Sequence, residues 1–264
     1  MHSARRAAPQ IDRLVIAVNT AVGAGDEGLA RDAGLSAPGL TPFFADWLLS
    51  VGIEREIAKR RIPYAADGTV DSWLDEGAAA GAIEEREGRY FASERLVPLA
   101  TSIRKAGTEK AAAFWGKHDN EVEIISTNLR TIIAEAPDEF SLASAHRQIP
   151  EPDDRYLALH QRLTTMRYFR SHAHISAWRA AGLTPFEIVA MTGLWRGSEN
   201  GGIPGSLVQK GYAEADGLTE EGDMVRGEIE IVTNQVVQPL FEVLGEPGPL
   251  LDALDALPSE PDDL

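Results

Sequence analysis

Between Asp154 and Gly182 the chain carries one long helical stretch, residues 155–181. An acidic side chain stands where the first free N–H groups need an acceptor, and a glycine stands where the backbone leaves the helix. Two residues on, Thr184-Pro185-Phe186-Glu187 combines an N-cap, a proline at the first helical position and an early acid, which predicts a helix over 185–194. The Gly-rich loop WRGSENGG then leads to a short helix over 204–210, a strand, a tight turn, a second strand and a long helix starting near Thr219. Helices closed by a hairpin set the expected fold class: mainly α with short β-hairpin wings.

The first half repeats this order. The spacing of Phe43, Trp47, Leu48, Val51 and Ile57 predicts a helix over 42–61, and Gly68 and Gly81 limit a shorter one over 70–80. Extended runs at 82–85 and 89–92 flank a Glu-Gly turn, and 120–135 reads as a further helix. The Pro- and acid-rich segment that follows reads as a linker. The expected organisation is therefore an N-terminal winged-helix-like module at 1–136, a linker at 137–154, a second module at 155–257 and an acidic, disordered tail at 258–264. The two tandem winged-helix-like modules would form a pseudo-dimer.

Over roughly 157–244 the chain resembles the winged-helix regulators of the MarR type. Leu207, Gly211 and Tyr212 stand at the strand entry of that pattern, and Leu218, Thr219 and Gly222 at its Leu-Thr-x-x-Gly helix start. The resemblance implies a winged helix-turn-helix, and two such halves in one chain would imitate that family's homodimer. The long helix is also similar to that of an uncharacterised actinobacterial family of helix-turn-helix-like proteins, with the pattern Arg-x-x-Arg-x-Asp-x-His followed by Ala-Ala-Gly-Leu. Here the residues are Arg167, Arg170, His172 and His174, then Ala180-Ala181-Gly182-Leu183, so that His172 stands where the family has aspartate. This resemblance implies no particular activity.

Duplex affinity rests largely on cationic side chains neutralising phosphates, and the chain carries 41 Asp and Glu against 25 Lys and Arg, a net charge of -16. A DNA-reading winged helix needs Arg or Lys on its recognition helix and wing. Segment 62–85 has neither, and contains Asp67, Asp71, Asp75, Glu76, Glu84 and Glu85. The second candidate, 204–210, offers Lys210, with Arg196 upstream. Its wing, 212–223, carries Glu214, Asp216, Glu220, Glu221 and Asp223 and no base. The one compact cationic run, Lys59-Arg60-Arg61, reads most simply as a solvated helix end.

The absence of cysteine removes thiol nucleophiles, thiolate zinc sites and disulfides, and is compatible with a reducing cytoplasm. The first residues do not read as a secretory leader, and no apolar run approaches a membrane span. The expectation is a soluble cytoplasmic protein with no membrane partner. His172 and His174, two residues apart, cannot face one metal from a regular helix. No P-loop, Gly-x-Gly-x-x-Gly or Gly-x-Ser-x-Gly pattern occurs, so no metal or cofactor is expected.

Projected at about 100° per residue, the long helix buries Leu159, Leu163, Met166, Ala173, Ala177 and Ala181. Arg170 falls within that face, Arg167, His174, Trp178 and His160 along its edge, and Tyr168, His172 and Arg179 on the opposite side. Arginines near a packing face need an acid or an anion. They form either salt bridges to carboxylates of the first half or a pocket between the modules. In the pocket, Arg167 and Arg170 would hold a carboxylate or phosphate, His174 would exchange a proton as the catalytic candidate, and Trp178, Trp195 and His160 would complete the wall. The expected function is binding of a small anionic or aromatic metabolite, with catalysis at His174 as an extension. The alternative is a MarR-like, ligand-responsive DNA-binding transcriptional regulator that holds DNA through Lys59 to Arg61 and Arg196.

Overall fold

The computed structural model describes residues 3–39, 41–197 and 202–260. The first half runs α1 (Ser3–Val22), α2 (Glu27–Asp32), α3 (Thr41–Leu48), β1 (Ile53–Glu54), α4 (Arg55–Arg61), α5 (Thr69–Ala79), β2 (Ile83–Arg86) and β3 (Arg89–Ala92). The three strands form an antiparallel sheet in the order β1-β3-β2, with Ile53 opposite Tyr90 and Ile83 opposite Ala92. Helix, strand, helix, helix and hairpin is the winged-helix order.

The single helix expected over 42–61 is instead two helices separated by β1. Gly52 makes the break: its φ is +70°, its N–H closes onto the Trp47 carbonyl at 2.8 Å, and a Cβ there would sit 2.5 Å from the Phe91 ring. Only glycine takes that conformation with an aromatic ring pressed against its α-carbon. Helical spacing of apolar residues continued across the turn and hid it.

The chain continues through α6 (Val97–Trp115), α7 (Asp119–Glu135), α8 (Ser141–His146), α9 (Arg155–Ala180), α10 (Pro185–Trp195), α11 (Gly205–Gln209), the hairpin β4 (Ala213–Glu214) and β5 (Gly217–Leu218), α12 (Glu220–Glu242) and α13 (Gly248–Ala256). The expected caps are present. Asp154 accepts from the N–H groups of Tyr156 and Leu157, and Thr184 and Glu187 form a reciprocal capping box. Thr219 explains the Leu-Thr-x-x-Gly signature: its Oγ1 accepts from the Gly222 N–H and donates to the Gly211 carbonyl, tying the wing to the start of α12. Gly222 must lack a side chain, because a Cβ would lie 2.0 Å from the Tyr212 carbonyl oxygen. Part of the Gly-rich loop, residues 198–201, lies outside the described residues.

Packing does not follow the expected module boundaries. One apolar cluster reaches from Ala4 to Leu257 and takes in Leu159, Leu163, Met166, Phe169 and Ala173 of α9 with Val237, Leu240 and Phe241 of α12. A smaller core joins Ala177 and Trp178 to Leu183, Ile188, Met191, Leu207, Ala213 and Ile229, and lies among α9, α10, α11, the β4–β5 hairpin and α12. Helices α9 and α12 thus run from one core into the other. The segment 137–154 does not behave as a linker: it contains α8, with Phe140, Leu142, Ala143 and Ile149 in the main core, and His146 Nδ1 lies 2.8 Å from Thr165 Oγ1. Prolines and acids bound the segment but apolar residues between them are buried. The expected disordered tail begins in contact, since the Pro258 carbonyl accepts from Trp115 Nε1 at 3.1 Å.

Candidate functional site

Helix α9 is the axis around which the ionisable side chains gather. It packs against α1, α6, α7, α8 and α12, which leaves its middle turns without a solvent face, while Ser176 and Arg179 near its end are exposed. That corrects the helical projection. Tyr168, expected on the outer side, is 5% exposed and packs against the rings of Trp47 and His146.

On one flank the expected residues Arg167, Arg170 and His174 meet partners from two helices, α1 and α12. Arg167 Nε donates to Asp12 of α1 at 2.8 Å, which is the bridge to the first half that the sequence allows. Arg170 Nη2 donates to Glu230 Oε2 at 2.5 Å, so its carboxylate comes from α12 and not from the first half. The other Glu230 oxygen lies 2.7 Å from Arg226 Nη1. Arg226 is buried, donates from Nε to Thr192 Oγ1 at 3.2 Å and has its guanidinium 4.8 Å from the Trp195 ring centre. Burial pushes the Glu230 carboxyl up, but Arg170 and Arg226 outweigh it and hold it below its ordinary value.

His174 is also buried, with Nδ1 3.3 Å from Thr233 Oγ1 and 4.0 Å from Glu230 Oε1. Burial first, then Arg170 and Arg226 against Glu230 and Asp12, pushes its pKa down to about 4, leaving a neutral ring near pH 7. Tyr64, from the α4–α5 loop, brings its phenol into the field of Arg170, Arg226, Arg167 and Asp12.

Trp178 and His160 do not join this cluster. Trp178 is 1% exposed inside the smaller core, with the Arg179 guanidinium over its ring. Burial pushes His160 down to about 4 against a hydrogen bond with the Val15 backbone, and its Nε2 is buried without a partner. Sequence reasoning missed Asp12, Tyr64, Arg226 and Glu230. The Arg226 to Glu230 spacing on a long helix was a readable signal, whereas Asp12 and Tyr64 arrive only through tertiary packing.

An open cleft lies on the opposite flank. A cleft of about 520 Å³ separates the α4–α5 loop from α8, α9 and the start of α10. Its apolar surface includes Ile62, Pro63, Val70, Leu142 and Ile175, and its polar surface includes Lys59, Arg60, His172, Ser176 and Arg179 together with the carboxylates Glu56, Asp67 and Asp71. Lys59 is engaged by Asp71 at 3.2 Å and Glu56 at 3.3 Å. Arg60 and Arg179 are exposed and have no carboxylate partner among the described residues. His172 is half-buried, edge-on to Phe140 at 5.3 Å, and burial, then Arg60, lowers its pKa against Glu139. Ser141 Oγ, also lining the cleft, is buried without a partner. His172, set aside by the projection, thus faces the cleft.

The surfaces equivalent to DNA-reading faces are acidic. Helix α5 exposes Asp75 and Glu76, while Asp71 and Asp75 are held by Arg55 of α4 at 2.7 and 3.0 Å. The first wing exposes Glu84, Glu85 and Glu87, and its Arg86 lies over the Phe91 ring. In the second unit α11 spans five residues. Lys210 just beyond it is taken by Glu187 and the Gly182 carbonyl, both at 2.8 Å. Glu214, Asp216, Glu220 and Glu221 are exposed beside it.

Helices closed by small antiparallel wings, with two helices shared between the cores, define a helix-turn-helix protein. The chain belongs to a helix-turn-helix family, whose profile matches residues 99–258, from α6 to just beyond α13. No curated protein and no solved structure matches the chain. No helix among the described residues is long and apolar enough to cross a membrane.

Proposed function

We propose that this helix-turn-helix protein binds a small molecule in the cleft between its first winged helix and α9, and that its former DNA-reading faces no longer engage a duplex. The observation that carries this reading is a ligand-sized cleft in which two guanidinium groups, Arg60 and Arg179, have no carboxylate partner among the described residues and stand near the apolar side chains Ile62, Pro63, Val70, Leu142 and Ile175. Clefts of roughly 300–1,000 Å³ with a few polar groups over apolar walls are the usual form of small-molecule sites. The ligand class this favours is a carboxylate or phosphate on an apolar or aromatic body, with neutral His172 and Ser141 as hydrogen-bonding partners. His174 lies away from the cleft, so this reading gives it no catalytic role.

The test is native mass spectrometry of the purified protein, followed by release and identification of any retained molecule. An anionic small molecule held by the native chain and lost from the Arg60→Gln/Arg179→Gln variant is the expected result. An empty protein that also shows no thermal shift across a panel of carboxylate and phosphate metabolites would refute the proposal.

The second reading is a MarR-like, ligand-responsive DNA-binding regulator, favoured by the family match over 99–258 and by the Leu218-Thr219-Gly222 helix start. Of its cations, Lys59 is paired and Arg61 stacks on Phe43 and Tyr168, which leaves Arg60 and Arg196. Fluorescence anisotropy with duplex DNA at low salt separates the two: tight binding that falls steeply with salt belongs to the regulator.

A further inference from the structure

The Arg167, Arg170 and Arg226 cluster lies on the flank of α9 opposite the cleft, and its charges do not balance. Three guanidinium groups surround two carboxylates, Asp12 and Glu230. Hydrogen-bonding capacity is equally uneven. Glu230 accepts a hydrogen bond from Arg170 with one oxygen and is ion-paired to Arg226 through the other, where Arg226 Nη1 is buried without a hydrogen-bond partner. Arg167 spends Nε on Asp12, and among the described residues its two terminal nitrogens have no acceptor. Arg170 Nε is buried with no partner. The Tyr64 hydroxyl also has no protein partner among the described residues, and Tyr64 is 46% exposed.

The place is open to solvent, since the side chains of Arg167 and Asp12 are 33% and 35% exposed, and those of Arg170 and Glu230 20% and 22%. Arg226 cannot turn outward to shed its charge, because it is buried against Trp195 and Thr192. His174 supplies no compensating charge. A fixed, half-buried excess of one positive charge, with unused planar N–H donors, is the complement of a small oxyanion.

We infer that Arg167 and Arg170, backed by buried Arg226, form a second binding site that takes a single carboxylate or phosphate group. The oxyanion is held by the free terminal nitrogens of Arg167 beside the Arg170 guanidinium. Asp12 and Glu230 position the arginines and limit affinity by repulsion. This site is separate from the cleft and does not depend on it.

The test is isothermal titration calorimetry with sodium phosphate and, separately, sodium acetate, at ionic strength held constant with sodium chloride. Saturable binding of either supports the inference, and comparison of the two shows which oxyanion is preferred. Arg167→Gln should weaken binding by about tenfold, the loss expected for one charge-assisted hydrogen bond. Asp12→Asn breaks the same ion pair but removes a repelling charge, so it should tighten binding. A purely structural role would move both variants in the same direction. Arg60→Gln, in the cleft, should leave binding unchanged. No saturable heat with either anion, or a shift in the same direction from Arg167→Gln and Asp12→Asn, would overturn the inference. Binding abolished by Arg60→Gln would overturn it too, by assigning the anion to the cleft.

Discussion

Replacing Glu230 by Gln should expose how strongly the smaller core depends on the charge network that joins α9 to α12. In the native protein one carboxylate lies 2.5 Å from Arg170 and 2.7 Å from Arg226. Glutamine keeps an acceptor but removes the charge, leaving Arg226, whose side chain is 3% exposed, beside a neutral group. Removing one partner of a fully buried ion pair costs roughly 3–5 kcal/mol. Glu230 and Arg170 are each about one fifth exposed, so water screens part of the loss and about 2–3 kcal/mol is expected. At roughly 2–4 °C per kcal/mol for a chain of this size, the melting temperature should fall by about 5–10 °C.

The pH dependence gives an independent check. The folded pKa of Glu230 is held below 4.5, so its stabilisation is complete above the unfolded value and is lost as pH falls through the folded one. The gap between wild type and variant, measured by thermal circular dichroism, should therefore be wide at pH 7 and close in acid. A drop under about 2 °C at pH 7, or a gap that does not change with pH, would refute the argument that the carboxylate offsets two desolvated arginines.

Acid should destabilise the chain well before its carboxylates titrate. Burial holds His146 at about 3, and His160 and His174 at about 4, against 6.5 unfolded. Their contribution is whole above pH 6.5 and is lost as pH falls toward 4, at up to about 4 kcal/mol per pH unit for three protons. Urea titrations between pH 7 and 5 measure that slope, and a flat profile would show the rings are not held neutral. Gly222→Ala places a methyl group where the Tyr212 carbonyl sits 2.0 Å away. It should cost about 2 kcal/mol or more, read as lost hydrogen-exchange protection in the β4–β5 wing. Trp178→Ala should cost about 3–5 kcal/mol, because the ring is a centre of the smaller core. A ligand-dependent loss with unchanged stability would instead mark Trp178 as a binding residue.

Local signals were legible where the interaction they describe is itself local. The Asp154 cap, the Thr184–Glu187 box and the Thr219 start of α12 each join groups two to four residues apart, and each is present. The hairpin at β2 and β3 was readable for the same reason. Gly52 was not, because its necessity comes from Phe91, 39 positions away, pressing on the turn. The segment 137–154 was mistaken for a linker because its prolines and acids outweigh four apolar residues whose burial depends on neighbours elsewhere in the chain. Helical spacing puts Arg167, Arg170 and His174 along one flank of α9, but which carboxylates answer them depends on how α1 and α12 lie across α9.

The sequence alone determined the N-terminal caps of α9, α10 and α12, the acidic surface and the two hairpins, since these follow from dihedral preferences and charge within short stretches of chain. Tertiary structure decided that α9 is enclosed on nearly every side, that the open cleft falls on the flank bearing His172, and that Arg226 enters the cluster from α12. Burial and pairing are properties of surfaces brought together from distant positions, and no local pattern specifies which surface will meet which.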